Sequence, residues 1–483
     1  MKHVIPLVIL LLLISGITQG DQASDSAGEK TFLAGAATSN VTPELGLPVI
    51  GGFRPFPGTH VHDDLFARCI VLDNGSQRIA IVIIDILGIP REVTDLARQQ
   101  IQQTTGIKPS HVLIAATHTH SAVTPRGPLG VFWPDEISTH AKFIATRVAD
   151  GVQRAVNQLE PARLGWGKAN LPEEVFNRRW FCDNASLTTN PFGGVDQVRM
   201  NPPRSHPSLN HPAGPVDPEI RFISIQSKDD RPVALLANYS LHYVGGVPQG
   251  HISADYFGYF ARYLEQKIKA SHLEPPFVAA LSNGTSGDIN NIDFQPESGG
   301  KRYGSYEKMK EVANKVASKV QQAYQDVEYR DWVPLGAIQS DMLLDLRQAS
   351  ESMLKHLHEA MTLPEGKYLS HRQEKVYAER IFKLEDAPRQ VNISLQAIKI
   401  GETGIAAIPF ETFAETGLEI KAKSPFKNTF TIELANGYYG YLPTPKQHRL
   451  GGYETWLGTN WVEINASDKI TKQLLLMFRS LER

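Results

Sequence analysis

An α/β domain, with strands and helices alternating along one large body, is the fold class this sequence predicts, and three observations predict it. The stretch "RCIVLDNGSQRIAIVIIDIL" holds two β-rich runs on either side of Asp73-Asn74-Gly75, and the second is apolar enough to be a buried central strand. The segment "REVTDLARQQIQQTTG" has helical spacing of its apolar residues and ends on a glycine stop. The next apolar run, "HVLIAATHTHS", closes a β-α-β unit of the kind that builds α/β layers.

Further along, the Pro- and Asn-rich residues 181–218 read as one long loop. "EIRFISIQS" and "PVALLANYSLH" then read as strands, and "YFGYFARYLEQKIKA" and "YEKMKEVANKVASKVQQAYQ" as amphipathic helices. Charged helical segments around residues 346–361 and 368–384 predict a solvated hairpin or lid. "VNISLQAIKIGETGIAAIPFE" returns to a pair of strands around a Gly-containing turn. No internal repeat, low-complexity tract or linker divides the chain, which predicts a single large domain over residues 21–483.

The chain begins "MKHVIPLVILLLLISGITQGDQAS", with one lysine, an apolar run over about residues 4–14 and small or polar residues up to Asp21. That run is short for a bilayer span and has the layout of a secretory signal over residues 1–20, so the protein is expected to be secreted or periplasmic. A single membrane anchor is the alternative reading. No later stretch approaches the ~18 apolar residues of a transmembrane helix. Lys plus Arg (49) nearly balance Asp plus Glu (51), and no basic block interleaved with aromatics occurs, which argues against a nucleic-acid partner. The two cysteines, Cys69 and Cys182, are too few for a disulfide framework; pairing and separate burial both stay open.

Polar groups of metal-ligand type recur where apolar strands end, the place where α/β sheets gather ligands. His118 and His120 follow "VLIAA", and in an extended strand residues two apart face one side, an arrangement that suits metal binding or acid–base work. His242 follows another apolar strand in "LLANYSLHYVGG", as a ligand or as a satisfied turn histidine. Glu411 follows "IAAIPF", as a ligand or as the N-terminal carboxylate of a helix. Tyr438, Tyr439 and Tyr441 follow an Asn-Gly turn and read alone as packing residues. "LSNGTSGDINNIDF" offers backbone N–H groups to an anion but lacks the lysine of a phosphate loop. Catalytic zinc uses three protein ligands and an open water position, and His118, His242 and Glu411 would supply the three.

These segments, taken in order, carry a resemblance. "AGAATSNVTP", "HDDLFARCIVLDNG", "IDILGI", "ATHTHS", "FNRRW", "VDPEIRFISI", "NGTSGD", "PFETFAE" and "LANGYYGYLPT" followed by "GGYE" occur in the order and approximate spacing of the neutral/alkaline non-lysosomal ceramidases. Between about residues 33 and 461 the chain resembles the catalytic domain of that family. The resemblance implies mixed β-sheets flanked by helices and one catalytic zinc held by His118, His242, Glu411 and Tyr441. It also implies that His120 stands beside the metal, and that Arg178 and Tyr453 complete the pocket. Tyr453 lies twelve positions after Tyr441, the family's spacing between its two site tyrosines.

The function implied is that of a secreted zinc-dependent amidase, cutting ceramide or a ceramide-like N-acyl lipid into fatty acid and amine. His120 would move the proton, and Arg178 and Tyr453 would steady the oxyanion. The expected partner is an N-acyl lipid or other small amide, with room for peripheral membrane contact and nothing indicating a protein partner. Two departures stand out. The family's Ser-Pro pair after Gly-Asp is replaced here by Ile289-Asn290-Asn291, and the chain ends without the β-sandwich domain that follows in ceramidases. Two alternatives stay open: a relative that binds an N-acyl lipid or glycan without turnover, and an amidohydrolase-type β/α barrel, whose bridging lysine and late aspartate have no clear counterpart here.

Overall fold

The computed structural model describes Met1 and residues 30–123, 137–296, 301–385 and 387–483. Apart from Met1, the expected leader lies outside the described residues. Thr31–Arg483 form one compact unit.

The strand Arg78–Ile84 shows how the layers are built. Its Ile79, Ile81 and Ile83 face a second sheet, while Ala80, Val82 and Ile84 face helices. Alternate side chains leave a strand on opposite faces, so a strand covered on both sides reads as the unbroken apolar run "IAIVII".

The larger sheet contains β1 (Leu33–Asn40), β2 (Phe66–Asp73), β3 (Arg78–Ile84), β4 (Val112–Ala116), β5 (Glu160–Asn170), β6 (Glu219–Ser227), β7 (Pro232–Tyr239) and β8 (Val278–Asn283). Their order is β8-β7-β6-β5-β1-β2-β3-β4, parallel at β7/β8 and β3/β4 and antiparallel between. The smaller sheet runs β9 (Leu335–Asp345), β10 (Gln390–Ile400), β11 (Thr403–Ile408), β12 (Asn428–Glu433), with β11 and β12 parallel. The two sheets pack face to face: Ile70, Ile81, Leu113 and Ile223 of one meet Ile398, Ile405, Phe430 and Ile432 of the other.

Helices cover the outer faces. α1 (Arg91–Thr105) and α2 (Thr139–Asn157) bury Val93, Ile101, Ile144 and Val148 on one half of the larger sheet. α3 (Asp255–Lys267) and α4 (Glu307–Tyr324) bury Phe257, Phe260, Val312 and Val316 on the other half. α7 (Ala414–Lys423) and α8 (Ala466–Glu482) cover the smaller sheet through Ile420, Ile470, Leu474 and Phe478. Layers of helix, sheet, sheet and helix result, matching the expected mixed sheets flanked by helices.

Two expectations need correction, and one open alternative is decided. Residues 181–218 are not one loop: Arg179–Cys182, Val198–Met200 and Leu209–Pro212 form a small antiparallel sheet. Strands of three or four residues are too short to show a period. The charged segments do form a helical pair, α5 (Glu351–Met361) and α6 (Glu374–Glu385), but it is not simply solvated. Leu357, Ala378 and Ile381 are buried, and α6 sets Tyr377 against Phe53 and Trp456. Cys69 and Cys182 are both buried free thiols. A Cβ at Gly151 would lie 2.6 Å from the Cys69 sulfur, so that glycine lets α2 approach β2.

Candidate metal centre and cleft

Strand ends deliver the site residues. β4 leads to His118 and His120, β7 to His242, β8 to Ser286, β11 to Glu411 and β12 to Tyr438 and Tyr441. β4 and β7 lie six strand steps apart in the larger sheet and run in opposite senses. Twist of ~20–25° per step turns strands so separated by roughly 120–150°, which lets their carboxyl ends point toward one place. The segment after β12 closes the gap: Asn436 donates its N–H to the Ile114 carbonyl over 2.8 Å, and Ala116 donates to Leu434 over 3.2 Å.

His118 and His120 meet by a different route from the one their spacing suggested. The strand ends at Ala116, and His118 takes a left-handed conformation, φ 71°, uncommon for a residue with a Cβ. Its N–H donates to the Ile86 carbonyl at 3.0 Å, which holds that turn. Its Nδ1 lies 2.6 Å from the Leu87 carbonyl, so Nδ1 carries the proton and Nε2 presents a lone pair. The same reasoning applies to His242, whose Nδ1 lies 3.1 Å from the Ser286 carbonyl and 3.2 Å from its Oγ.

Both lone pairs face Glu411. Its Oε2 is 3.3 Å from His118 Nε2 and 3.6 Å from His242 Nε2, and all three side chains are buried. Glu411 Oε2 and His242 Nε2 have no hydrogen-bond partner among the described residues. Three electron-pair donors without a proton among them repel one another unless a cation sits between, so the donor set fits a metal ion. Burial opposes the charge on Glu411, and hydrogen bonds from the Tyr438 and Tyr441 hydroxyls favour it.

His120 completes the cluster: its Nε2 is 3.1 Å from His118 Nε2, and the ligand atoms of His118, His120 and His242 all lie within 4.8 Å of one another. These three histidines could hold a metal ion. Burial, then His118, push His120 well below the usual imidazole range, so its ring is neutral. The ring stacks on Tyr243, centroids 3.6 Å apart. A Cβ at Gly51 would fall 2.2 Å from the His120 carbonyl oxygen and 2.5 Å from its Cβ. Gly51→Ala is therefore expected to displace His120. In a site that depends on its position, a shift of ~1 Å costs about 100-fold; activity measured alongside an unchanged circular dichroism spectrum checks this.

A second layer fixes these groups. Tyr438 donates its hydroxyl to Glu411 Oε1. Ser286 Oγ donates to Glu433 Oε1 at 2.6 Å, and the other Glu433 oxygen accepts the Thr412 N–H at 2.6 Å. Asp288 takes the helix-capping place that Glu411 does not fill, accepting the Ala414 N–H at 2.9 Å. Tyr441 receives Arg178 Nη2 on its hydroxyl at 3.0 Å. Arg178 also donates 2.7 Å to the Gly287 carbonyl and 2.9 Å to Glu454, which binds Arg179 at 2.7 Å as well. Arg178 thus has two of its nitrogens, Nε and Nη2, committed beside Tyr441. Asn290, at the family's serine position, is tied to Asn201 Oδ1 at 2.6 Å.

The cluster opens into a cleft of about 120 Å³ walled by Phe53, Arg380, Tyr438, Tyr441, Tyr453 and Trp461 as well as His118, His120 and Glu411. Across the 51–53 segment lies a second opening of about 600 Å³, bounded by Val49, Phe56, Tyr243, Val247 and Pro248. His120 lines both.

The family model described as neutral/alkaline non-lysosomal ceramidase, N-terminal, matches residues 32–325, more than half of the 483 residues. The chain belongs to this family. Among solved structures, the neutral ceramidase from Pseudomonas aeruginosa matches with a TM-score of 0.69 and 17% identity, over 94% of this chain and 75% of that one. A ceramidase complexed with C2 matches with a TM-score of 0.68 and 16% identity, over 94% and 76%. At such identities the likeness is one of fold, and it extends the ceramidase architecture past residue 325 to nearly the whole chain. The family match itself stops short of Glu411, Tyr441 and Tyr453, so in this ceramidase-family chain those three join the histidines through geometry.

Tyr438 has the sequence setting of a packing residue, and Glu433, Arg179 and Glu454 carry no local signal of their place in the site. Glu454 could have been flagged as a carboxylate directly after Tyr453, but its arginine partners stand 276 and 275 positions away.

Proposed function

We propose that this protein is an exported zinc-dependent amidase that hydrolyses an N-acyl amide, ceramide or a ceramide-like lipid, to a fatty acid and an amine. The observation that carries the reading is the convergence of the Nε2 atoms of His118 and His242 with Glu411 Oε2, at 3.3 and 3.6 Å from the carboxylate, within a ceramidase-family fold. The apolar run over residues 4–14 supports export.

His118, His242, Glu411 and Tyr441 would hold the ion. Zinc in such a cage lowers the pKa of a bound water toward ~7 and polarises a carbonyl. His120, neutral and set between the two openings, is placed to take a proton from the attacking water and return it to the leaving amine. An amide lying across the 51–53 segment would send one substituent into each opening. Tyr453 reaches the cleft with its hydroxyl protonated, since burial pushes it up to about 12, and so can donate to the oxyanion. Arg178 acts through Tyr441, as a positioning residue.

Fatty-acid release from a short-chain ceramide tests the reading. Turnover is expected to stop with a chelator and return with zinc. Tyr453→Phe is expected to lower kcat by about 100-fold with zinc content unchanged. Wild-type protein that carries zinc yet cleaves no N-acyl amide would refute the amidase assignment.

A further inference from the structure

Behind Tyr453 lies a second pocket, of about 70 Å³, whose wall includes Asp196, Arg199, His371, Arg372, Tyr453 and Trp456. Tyr453 lines both this pocket and the metal cleft. Its ring stands 5.8 Å from that of Tyr441 on one side and 5.8 Å from that of Trp456 on the other. Trp456 in turn meets His371, 5.4 Å away. The pocket is therefore one aromatic ring removed from the proposed ligands.

Its charge is unbalanced. Arg199 projects from the three-residue strand Val198–Met200, and its Nε is buried without a hydrogen-bond partner. Arg372 is exposed at the mouth. Among the described residues neither guanidinium has a carboxylate within ion-pair distance. Asp196, the one carboxylate among the described residues of the wall, is engaged elsewhere. Its Oδ2 accepts the Gly452 N–H at 2.8 Å and Trp456 Nε1 at 2.7 Å, and its Oδ1 accepts Asn190 Nδ2 at 3.0 Å. Burial and the neighbouring Arg372 both weigh against the charge on Arg199. Two guanidinium groups lining one pocket, one with an orphaned donor, are the arrangement a planar or tetrahedral oxyanion relieves, since Arg presents paired N–H groups to carboxylate or phosphate.

We propose that this pocket binds an oxyanion, a carboxylate, sulfonate or phosphate, through Arg199 and Arg372. Its position beside Tyr453 gives that anion two sources: a free ion, or the end of the amine half of a substrate whose amide sits at the metal. The second source rests on the amidase reading and narrows it to N-acyl amines with an acidic head, such as an N-acyl amino acid.

Two measurements on the full zinc-loaded protein test this. Calorimetric titration with inorganic phosphate is expected to show one site in the wild type. The site is expected to weaken about tenfold or more in Arg372→Gln, an exposed position that spares the fold, and in Arg199→Leu. Turnover of an N-acylglycine is then compared with that of the N-acylethanolamine of equal chain length. A preference of about tenfold for the acidic substrate, lost in Arg372→Gln while the neutral substrate is cut as before, assigns the anion to the substrate. Phosphate binding without that preference assigns it to a free ion. Phosphate binding in a protein that cleaves neither amide upholds the pocket and refutes the amidase reading instead. No phosphate binding and no preference, or binding untouched by both substitutions, overturns the proposal.

Discussion

Glu411→Gln is expected to reduce bound zinc from one ion per chain to a trace and to bring amide hydrolysis down to background, in a protein that still folds. The substitution keeps the side chain's volume but removes the only carboxylate among the described residues that faces His118 Nε2 and His242 Nε2. Two neutral imidazoles and a phenol then remain for a doubly charged ion, and the charge that offsets its dehydration is gone. His118→Ala should act in the same direction. Tyr438→Phe separates a supporting group from a ligand: its hydroxyl fixes Glu411 Oε1. Loss of such a supporting hydrogen bond typically weakens metal affinity by about 10–100-fold and leaves the site able to load at high zinc. Metal content by mass spectrometry after dialysis, together with the zinc concentration needed for half-maximal activity, checks the order Glu411→Gln, then Tyr438→Phe, then wild type. Full zinc content in Glu411→Gln would place the ion elsewhere, with the three-histidine cluster the first alternative.

Glu454→Ala is expected to cost about 3–5 kcal/mol of folding stability, the range for removing one partner of a buried ion pair. Glu454 is fully buried and bonds Arg178 at 2.9 Å and Arg179 at 2.7 Å. Arg179 is as deeply buried, and its remaining bonds are to neutral groups of Gln447 and Gly451. Without the carboxylate two guanidinium charges face each other in the interior. Urea denaturation of zinc-free wild type and variant isolates this effect from metal binding. Replacing Arg178, Arg179 and Glu454 together by methionine is expected to recover much of the lost stability, since no uncompensated charge is left. Activity should not return with it: the triple variant lacks the donor that orients the Tyr441 hydroxyl. An unchanged urea midpoint in Glu454→Ala would contradict the burial account.

The parts of the molecule that sequence made legible are those where a local pattern carries the signal. The β-α-β unit from residue 66 to residue 116 was readable because strand and helix periods alternate there and Gly106 caps α1 in the left-handed conformation. The site was readable as far as strand ends, since His118, His242 and Glu411 each follow a buried apolar run. What stayed hidden depends on the fold. The left-handed turn at His118 cannot be seen in "AATHTHS", where the letters suggest a continuing strand. Glu433 looks like the end of a strand until Ser286, 147 positions earlier, donates to it. The bonds of Arg178 depend on the fold in the same way, since Gly287 and Glu454, which accept its N–H groups beside Tyr441, stand 109 and 276 positions away. The small sheet within residues 179–212 has no readable period because its strands span at most two repeats of the strand alternation.

Crystallographic anomalous scattering recorded on both sides of the zinc absorption edge, from protein loaded with zinc, tests the central claim most directly. A single edge-dependent peak in contact with His118 Nε2, His242 Nε2, Glu411 Oε2 and the Tyr441 hydroxyl, with His120 adjacent but unbound, is the predicted result. A peak held by His120 in place of Glu411, or none at this cluster in zinc-loaded protein, would contradict it.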